Sequence, residues 1–436
     1  MTSLERRVIK DVGPDLPLMA YDENFAENGR LILPFDNRSG WASCIIPSQT
    51  HPSAYIVGLY ETLKVISPPP SYLARLIKIN QSGEVDPEFA NGEGFMNVNF
   101  AAHGISIIRG IHETSDGFFI WGDNTSLSGG SFVTRPYLCK KRANGSPDPN
   151  FGENGTLDIN KLGLDYTVQL VSGQSCTLLA DGGVFIGAIR VDTDISLIIK
   201  LDATGKLDRN FQNNGTLVIK NDSKSTYLHG LTGTDQEGLL VFGATFSDST
   251  FAGVVMKYDR AGNKSSLFGK GGSSELTVKG YNPIIAGVQT LADKRLLLTG
   301  FADTERNGVV VESLIGVLDA DGKPDKSFNG GQIAFHQFDA DSDLDRWHMA
   351  TPQLASQGKI LAVGAGGTSG SNGPVVGRFN NDGSADKTFL DGYAFGTLND
   401  ASFSPNQNAA FVHPTSGQIL VAGSVNNRPA ILALKV

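Results

Sequence analysis

The sequence predicts an all-β protein, a seven-bladed β-propeller with four antiparallel strands per blade. Three observations predict it. A loop of the form Asp-x-x-Phe, with Gly close behind, recurs around Phe25, Phe89, Phe151, Phe211, Phe268, Phe328 and Phe389, a period of about 60 residues. Between the copies lie short runs rich in Val, Ile, Leu and Phe, bounded by Gly, Asp and Asn, which read as strands. No segment of helical period reaches the length of a helix. One β-unit repeated seven times around an axis is a propeller, whereas a two-sheet sandwich has no need of the period.

The elements follow in chain order. Residues 1–20 are a tail of ambiguous structure, and 21–436 form the propeller. The chain runs out at a third strand, Ala430–Lys435. Its missing partner stands at the start: Asp22, Phe25 and Gly29, then the run Leu31–Phe35. The N-terminal strand therefore completes the last blade and leaves no open edge. Residues 284–335 show one whole unit. A first run from Ile284 meets the polar turn at Asp293. A second run ends at Gly300, a third runs from Val309 to Leu318, and the Phe328 loop leads to a short fourth.

The other second strands read Tyr55–Gly58, Phe118–Gly122, Val184–Gly187, Leu239–Gly243, Ile360–Gly364 and Ile419–Gly423, each ending in glycine. Third strands carry a base near their end (Lys78, Lys140, Lys200, Lys257, Arg378), and Val317 breaks that rule. Partly by analogy with other propellers, the first run is placed innermost. The loop Phe, the one large apolar group among polar neighbours, is expected to plug the gap between adjacent blades, contributing roughly 1.5–3 kcal/mol per copy. Around Phe268 the motif Asp is lacking, so that blade is expected to be the least tightly locked.

The stretch Leu201 to Gly215 and the strands at 359–364 (KILAVG) and 418–423 (QILVAG) resemble the delta-60 repeat family, an uncharacterised β-propeller repeat of bacterial proteins. The resemblance spans nearly the whole chain. It implies the fold and almost nothing about activity.

Composition narrows the partners. The net charge is −9, with no long basic run, which disfavours phosphate backbones and argues against nucleic acid. No apolar run is long enough for a membrane helix. The N-terminal residues lack the apolar core of a secretory signal, so the expected location is the cytoplasm, or outside it by a route without a classical signal peptide. Cys44, Cys139 and Cys176 are scattered without metal spacing and read as reduced core thiols. Glycine is abundant, 52 residues, as many hairpin turns require.

Function is expected on the face that carries the second-to-third loops and the blade-crossing loops, which vary most. An aromatic or imidazole group recurs where inner strands begin: Trp41, His103, Tyr166, Tyr227, Tyr281, Trp347 and, less clearly, Phe403. Together with Arg346 these form a candidate cup for a small molecule, a glycan or a protein partner at the channel mouth. The alternative is that each packs over the neighbouring blade. The loop HQFDADSDLDRWH (336–348) alternates Asp339, Asp341, Asp343 and Asp345, a candidate divalent-cation site without the Gly and Glu of a calcium-binding EF loop, or simply a solvated acidic loop. Arg190, Asp192 and Asp194 read as a surface network. His103, His229 and His348 lie near inner-strand starts and could approach the axis. The leading expectation is a non-enzymatic binding or interaction propeller. The runner-up is a metal-assisted hydrolase or lactonase-like enzyme built on those three histidines.

Overall fold

The computed structural model describes residues 7–8, 16–33, 39–62, 72–171, 174–234, 238–247, 250–304, 311–338, 345–353, 358–368, 371–398, 402–412 and 418–435. The strands make seven four-stranded antiparallel blades, I to VII in chain order. The inner strands are Gly40–Pro47 (I), Ile105–Thr114 (II), Val168–Leu170 with Cys176–Leu178 (III), Ser225–Gly233 (IV), Tyr281–Thr290 (V), Arg346–Gln353 (VI) and Phe403–Val412 (VII). The outer strands are short: Met96–Asn97, Thr156–Asp158, Thr216–Val218, Ser273–Leu276, Ala334–His336 and Phe395–Thr397 for I to VI. Blades I and II share a core and are joined by one parallel backbone bridge, Tyr72 to Ile105. Helical segments among the described residues are single turns, and no helix there is long and apolar enough to cross a membrane.

The ring closes as expected. Arg30–Ile32 pairs antiparallel with Arg428–Leu434 as the outer strand of blade VII, and Leu33 N–H donates to Pro429 O at 2.9 Å. The tail does more than the sequence suggests. Arg7–Val8 adds a fifth, parallel strand outside Ala334–His336 of blade V. Leu18 bridges to Thr397 of blade VI, and Met19 is buried between VI and VII.

The repeated loop is an inter-blade latch. All seven phenylalanines are buried, from 0% exposed at Phe25 to 8% at Phe89 and Phe389. The ring of each plug meets the following blade. Phe151, Phe211, Phe268 and Phe328 lie against the turn glycines Gly205, Gly262, Gly322 and Gly383. Those glycines have φ between +78° and +85°, so the position demands both a left-handed backbone and no side chain. The backbone then crosses the seam: Gly152 N–H donates to Thr204 O at 2.9 Å, and Gly269 N–H to Asp321 O at 2.6 Å.

The base near the end of the third strand pairs with the loop Asp: Lys78 with Asp86 at 3.5 Å, Lys140 with Asp148 at 3.0 Å, Lys200 with Asp208 at 3.0 Å and Arg378 with Asp386 at 2.7 Å. Where Val317 breaks the series, Arg295 reaches Asp325 from the second strand of the same blade at 2.9 Å. Where the Asp is missing, Lys257 stands over the Phe268 ring at 6.0 Å. Phe268 is as buried as its counterparts and keeps its backbone bond across the seam, so that copy lacks an ion pair and not its plug.

Candidate functional site

Sheet pairing decides where chemistry can gather. In six blades the inner and second strands fall out of register at one point: between Ala42 and Cys44, Ile108 and Gly110, Leu228 and Gly230, Ile285 and Gly287, Trp347 and Met349, and Pro405 and Ala410. The first five are β-bulges, each inserting one extra residue on the inner strand and re-aiming it, while blade VII has a longer irregularity of four residues opposite one. In blade III the inner strand breaks at the same place, and Val171 and Ser175 both bond Gly187. The recurrent glycine of the second strand lies opposite the bulge. It does not end the strand, as the sequence suggests, because these strands run on past it to Thr62, Ser128, Ser247, Thr304, Thr368 and Val425. Glycine is required there because a Cβ at Gly122, Gly243, Gly300 or Gly364 would strike an inner-strand carbonyl oxygen, of Ile107, Tyr227, Ile284 or Arg346 respectively.

The bulged residues Ser43, Arg109, His229, Ala286 and His348 all line one axial cavity of about 440 Å³, to which all seven inner strands contribute. Its walls are largely apolar, with Ile45, Ile108, Ile111, Leu231, Met349 and Phe411 among them. Most of the lining lies at or beyond the bulge, in the half of the channel nearer the first-to-second hairpins, and only in blade II do Ile107 and Ile108 carry it back before the bulge. The expected cup belongs to the opposite half.

The electrostatics are uneven. Arg109 is neutralised by Asp123. Burial pushes His229 down to about 4; a hydrogen bond to the Ala286 backbone opposes the shift and the charge of Arg346 adds to it. His348 is pushed down to about 3 by burial, then by Arg346 and His229. Both rings are neutral at pH 7. His229 Nδ1, His348 Nε2 and Arg346 Nε are buried without a hydrogen-bond partner. The Arg346 guanidinium rests over the Phe301 ring at 4.5 Å, and that ring packs against His229 at 6.3 Å. Burial raises the thiols Cys44, to about 12, and Cys176, so both stay protonated; both are free, as is Cys139.

The sequence-predicted residues scatter. Trp347 is 0% exposed and packs among Phe338, Phe379 and Phe395, 4.5 to 6.0 Å between ring centroids. Tyr281 is buried, stacked on Phe335 at 4.9 Å, with its hydroxyl bonded to Glu312 at 3.3 Å. These two are core residues, which corrects their placement in a ligand cup: an aromatic at a strand start here fills the seam with the neighbouring blade. Phe403 is buried as well. Trp41 is half-buried and stacked on Tyr60 at 6.1 Å. Tyr166 lies under Arg190 at 4.5 Å, which Asp192 holds with two 2.7 Å bonds. Tyr227 is 39% exposed, and His103 is exposed. None of these aromatics lines the cavity.

Of the three histidines, His229 and His348 meet at the cavity and His103 stays apart. In the acidic loop, Asp339, Asp341 and Asp343 lie outside the described residues. Asp345 is fully buried and accepts Phe338 N–H at 2.7 Å, the role of a loop brace. Among the described residues, no three His, Cys, Asp or Glu stand close enough to hold one metal ion. Sequence reasoning missed the bulge ring. Its signal was the recurrent glycine, which follows each axial residue by about fourteen positions.

Comparison with known proteins adds a family match within one unit. Residues 356–389 match a family described as a domain of unknown function (DUF5122) beta-propeller, which supports a β-propeller repeat. No curated protein matches the chain. Solved structures with a similar arrangement include Sqt1 from Chaetomium thermophilum, at 10% identity and TM-score 0.44, covering 97% of this chain and 100% of that one. Sqt1 bound to the N-terminus of the ribosomal protein L10 gives 10% identity and 0.46 over the same shares. A mannose phosphorylase from Leishmania mexicana gives 8% identity and 0.31, covering 84% of this chain and 87% of that one. Likeness at this level says nothing about function.

Proposed function

We propose that this chain is a binding propeller whose ligand is a small molecule seated in the axial cavity, and that its repeats belong to the delta-60 family. The observation that carries the binding reading is the bulge ring. Five inner strands each spend an irregularity on aiming one residue at the axis, around a cavity of ligand size with apolar walls and few polar groups. The half-exposed Trp41 and Tyr227, with Tyr166 under Arg190, form a second, looser zone on the variable face, suited to a glycan or protein partner that covers the channel mouth.

The test is a library of small polar-apolar compounds screened by thermal shift against the native chain and Ala410→Trp. Ala410 lines the cavity from blade VII, where an indole takes up the space. Compounds that raise the melting temperature of the native chain and not of the variant support the reading. Stabilisation that survives Ala410→Trp unchanged places the site elsewhere and overturns it.

A further inference from the structure

Next to the cavity, outside its lining, stands a charge whose field reaches both cavity imidazoles, that of Arg346. The Arg346 guanidinium makes no ion pair or hydrogen bond among the described residues, and its Nε is buried. The neighbouring carboxylates do not serve it. Asp345 turns its Oδ2 to Phe338 N–H and forms no ion pair with Arg346. Asp303, two residues beyond Phe301 on blade V, has its Oδ1 buried and unpartnered, and no carboxylate charge offsets the burial that lowers the Arg346 pKa. A partly buried guanidinium without a counter-charge is costly, and binding an anion relieves that cost.

Beside it stand two imidazoles from non-adjacent blades. Blade V, between them, carries only Ala286 and Gly287 at that level, so nothing bulky separates the rings. Gly287 is itself confined, since a Cβ there would lie 3.1 Å from His348 O. His229 bonds the Ala286 backbone through one ring nitrogen, which leaves Nδ1 as the free lone pair of a neutral ring. The other ionisable groups on the walls are already settled: Arg109 is paired with Asp123, and Cys44 and Cys176 are protonated thiols.

Resting on the cavity reading above, we infer that the ligand is a carboxylate with an apolar body, its head held by His229 and His348 in the field of Arg346, and that it binds together with a proton. A lone pair cannot donate to a carboxylate. For His229 to hold the head together with His348, one proton therefore enters, held between the carboxylate and His229 Nδ1. A divalent cation is disfavoured at the same imidazoles because Arg346 already places positive charge there. The Ile45, Ile108, Leu231 and Phe411 walls take the apolar body.

Sodium hexanoate and its uncharged analogue hexanamide serve as probes in titration calorimetry on the full chain, at pH 6 and 7.5 and in two buffers of different ionisation enthalpy. Expected are saturable hexanoate binding, at least tenfold weaker hexanamide binding, tighter hexanoate binding at pH 6, and uptake of about one proton. Arg346→Gln should weaken hexanoate at least tenfold, with Arg346→Lys retaining most of the affinity. Should Arg346→Gln not fold, the proton uptake and acid-versus-amide ratio of the native chain still decide. Equal binding of acid and amide, or hexanoate binding without proton uptake, overturns the carboxylate assignment while leaving the cavity reading intact. Hexanoate binding that Ala410→Trp does not abolish overturns both. If neither probe binds, the carboxylate assignment falls, and the cavity reading then rests on the library screen alone.

Discussion

Single residues in this chain are explained by what sits eight positions away or one blade over. The loop Asp is held by the base eight residues earlier, and its backbone N–H by that base's carbonyl, as Asp208 N–H donates to Lys200 O at 2.9 Å. At Asp386 burial works against the charge, yet Thr388, Lys359 and Arg378 hold its pKa below the ordinary carboxylate range. This pairing was legible as a repeated basic position, and so was its exception. Blade V carries Val317 in that place and draws Arg295 to Asp325 instead. Arg295→Met should therefore cost about 1 kcal/mol, and adding Val317→Lys should recover most of it. Urea unfolding of the single and double variants checks this; an additive second loss would show that the two bases are not equivalent.

Trp347 was not legible, because an aromatic at a strand start looks the same whether it meets the axis or the neighbouring blade. Its burial predicts that Trp347→Ala loses roughly 3–5 kcal/mol in a denaturant melt. A near-native melt would return it to the surface. The histidines make a pH prediction. Their folded pKa values lie below that of a free imidazole, so the folded state holds fewer protons than the unfolded chain in acid. The stability they confer is complete above about pH 6.5 and is lost as pH falls toward 4 and then 3. Urea midpoints should drop between pH 7.5 and 5, and by less in His229→Gln with His348→Gln. An undiminished drop in the double variant would assign the effect elsewhere.

At the scale of the strand, the decisive feature is one extra residue. Alternation and period reveal strands, and they revealed these. They carry no mark for a register shift, which exists only in the pairing of two strands. The recurrent glycine was visible but read as a terminator, when its partner across the ladder explains it better. Gly300→Ala should cost roughly 1–3 kcal/mol, since the new methyl meets the Ile284 carbonyl and the bulge must give way. Gly316→Ala is the control, because its nearest neighbour, Ile333 Cγ1, lies an ordinary 3.5 Å off. Equal costs at the two sites would mean that any methyl in these sheets is tolerated alike. If the Gly300 variant folds, binding at the axis should also change, because His229 and His348 are aimed by irregularities of the same kind.

At the scale of the molecule, the blade count and the closing strand came from the period, whereas the path of the tail did not, for it follows no repeat. The tail touches blades V and VI before the closing strand reaches VII. Starting the chain at residue 21 should lower the melting temperature by a few degrees and keep one cooperative transition. Starting it at residue 39 removes the outer strand of VII and the Phe25 plug, and should give a broad transition with aggregation. Scanning calorimetry and light scattering separate these outcomes; two equally mild losses would mean that closure contributes little. The closing strand and its partner are also far apart in time. At about 5–20 residues per second, roughly 400 residues of synthesis separate Ile32 from Arg428, on the order of 20–80 seconds. For that interval Arg30–Ile32 must wait on the ribosome without its mate. Three residues headed by an arginine offer little for a neighbouring nascent chain to seize, and brevity is what makes so long a wait safe.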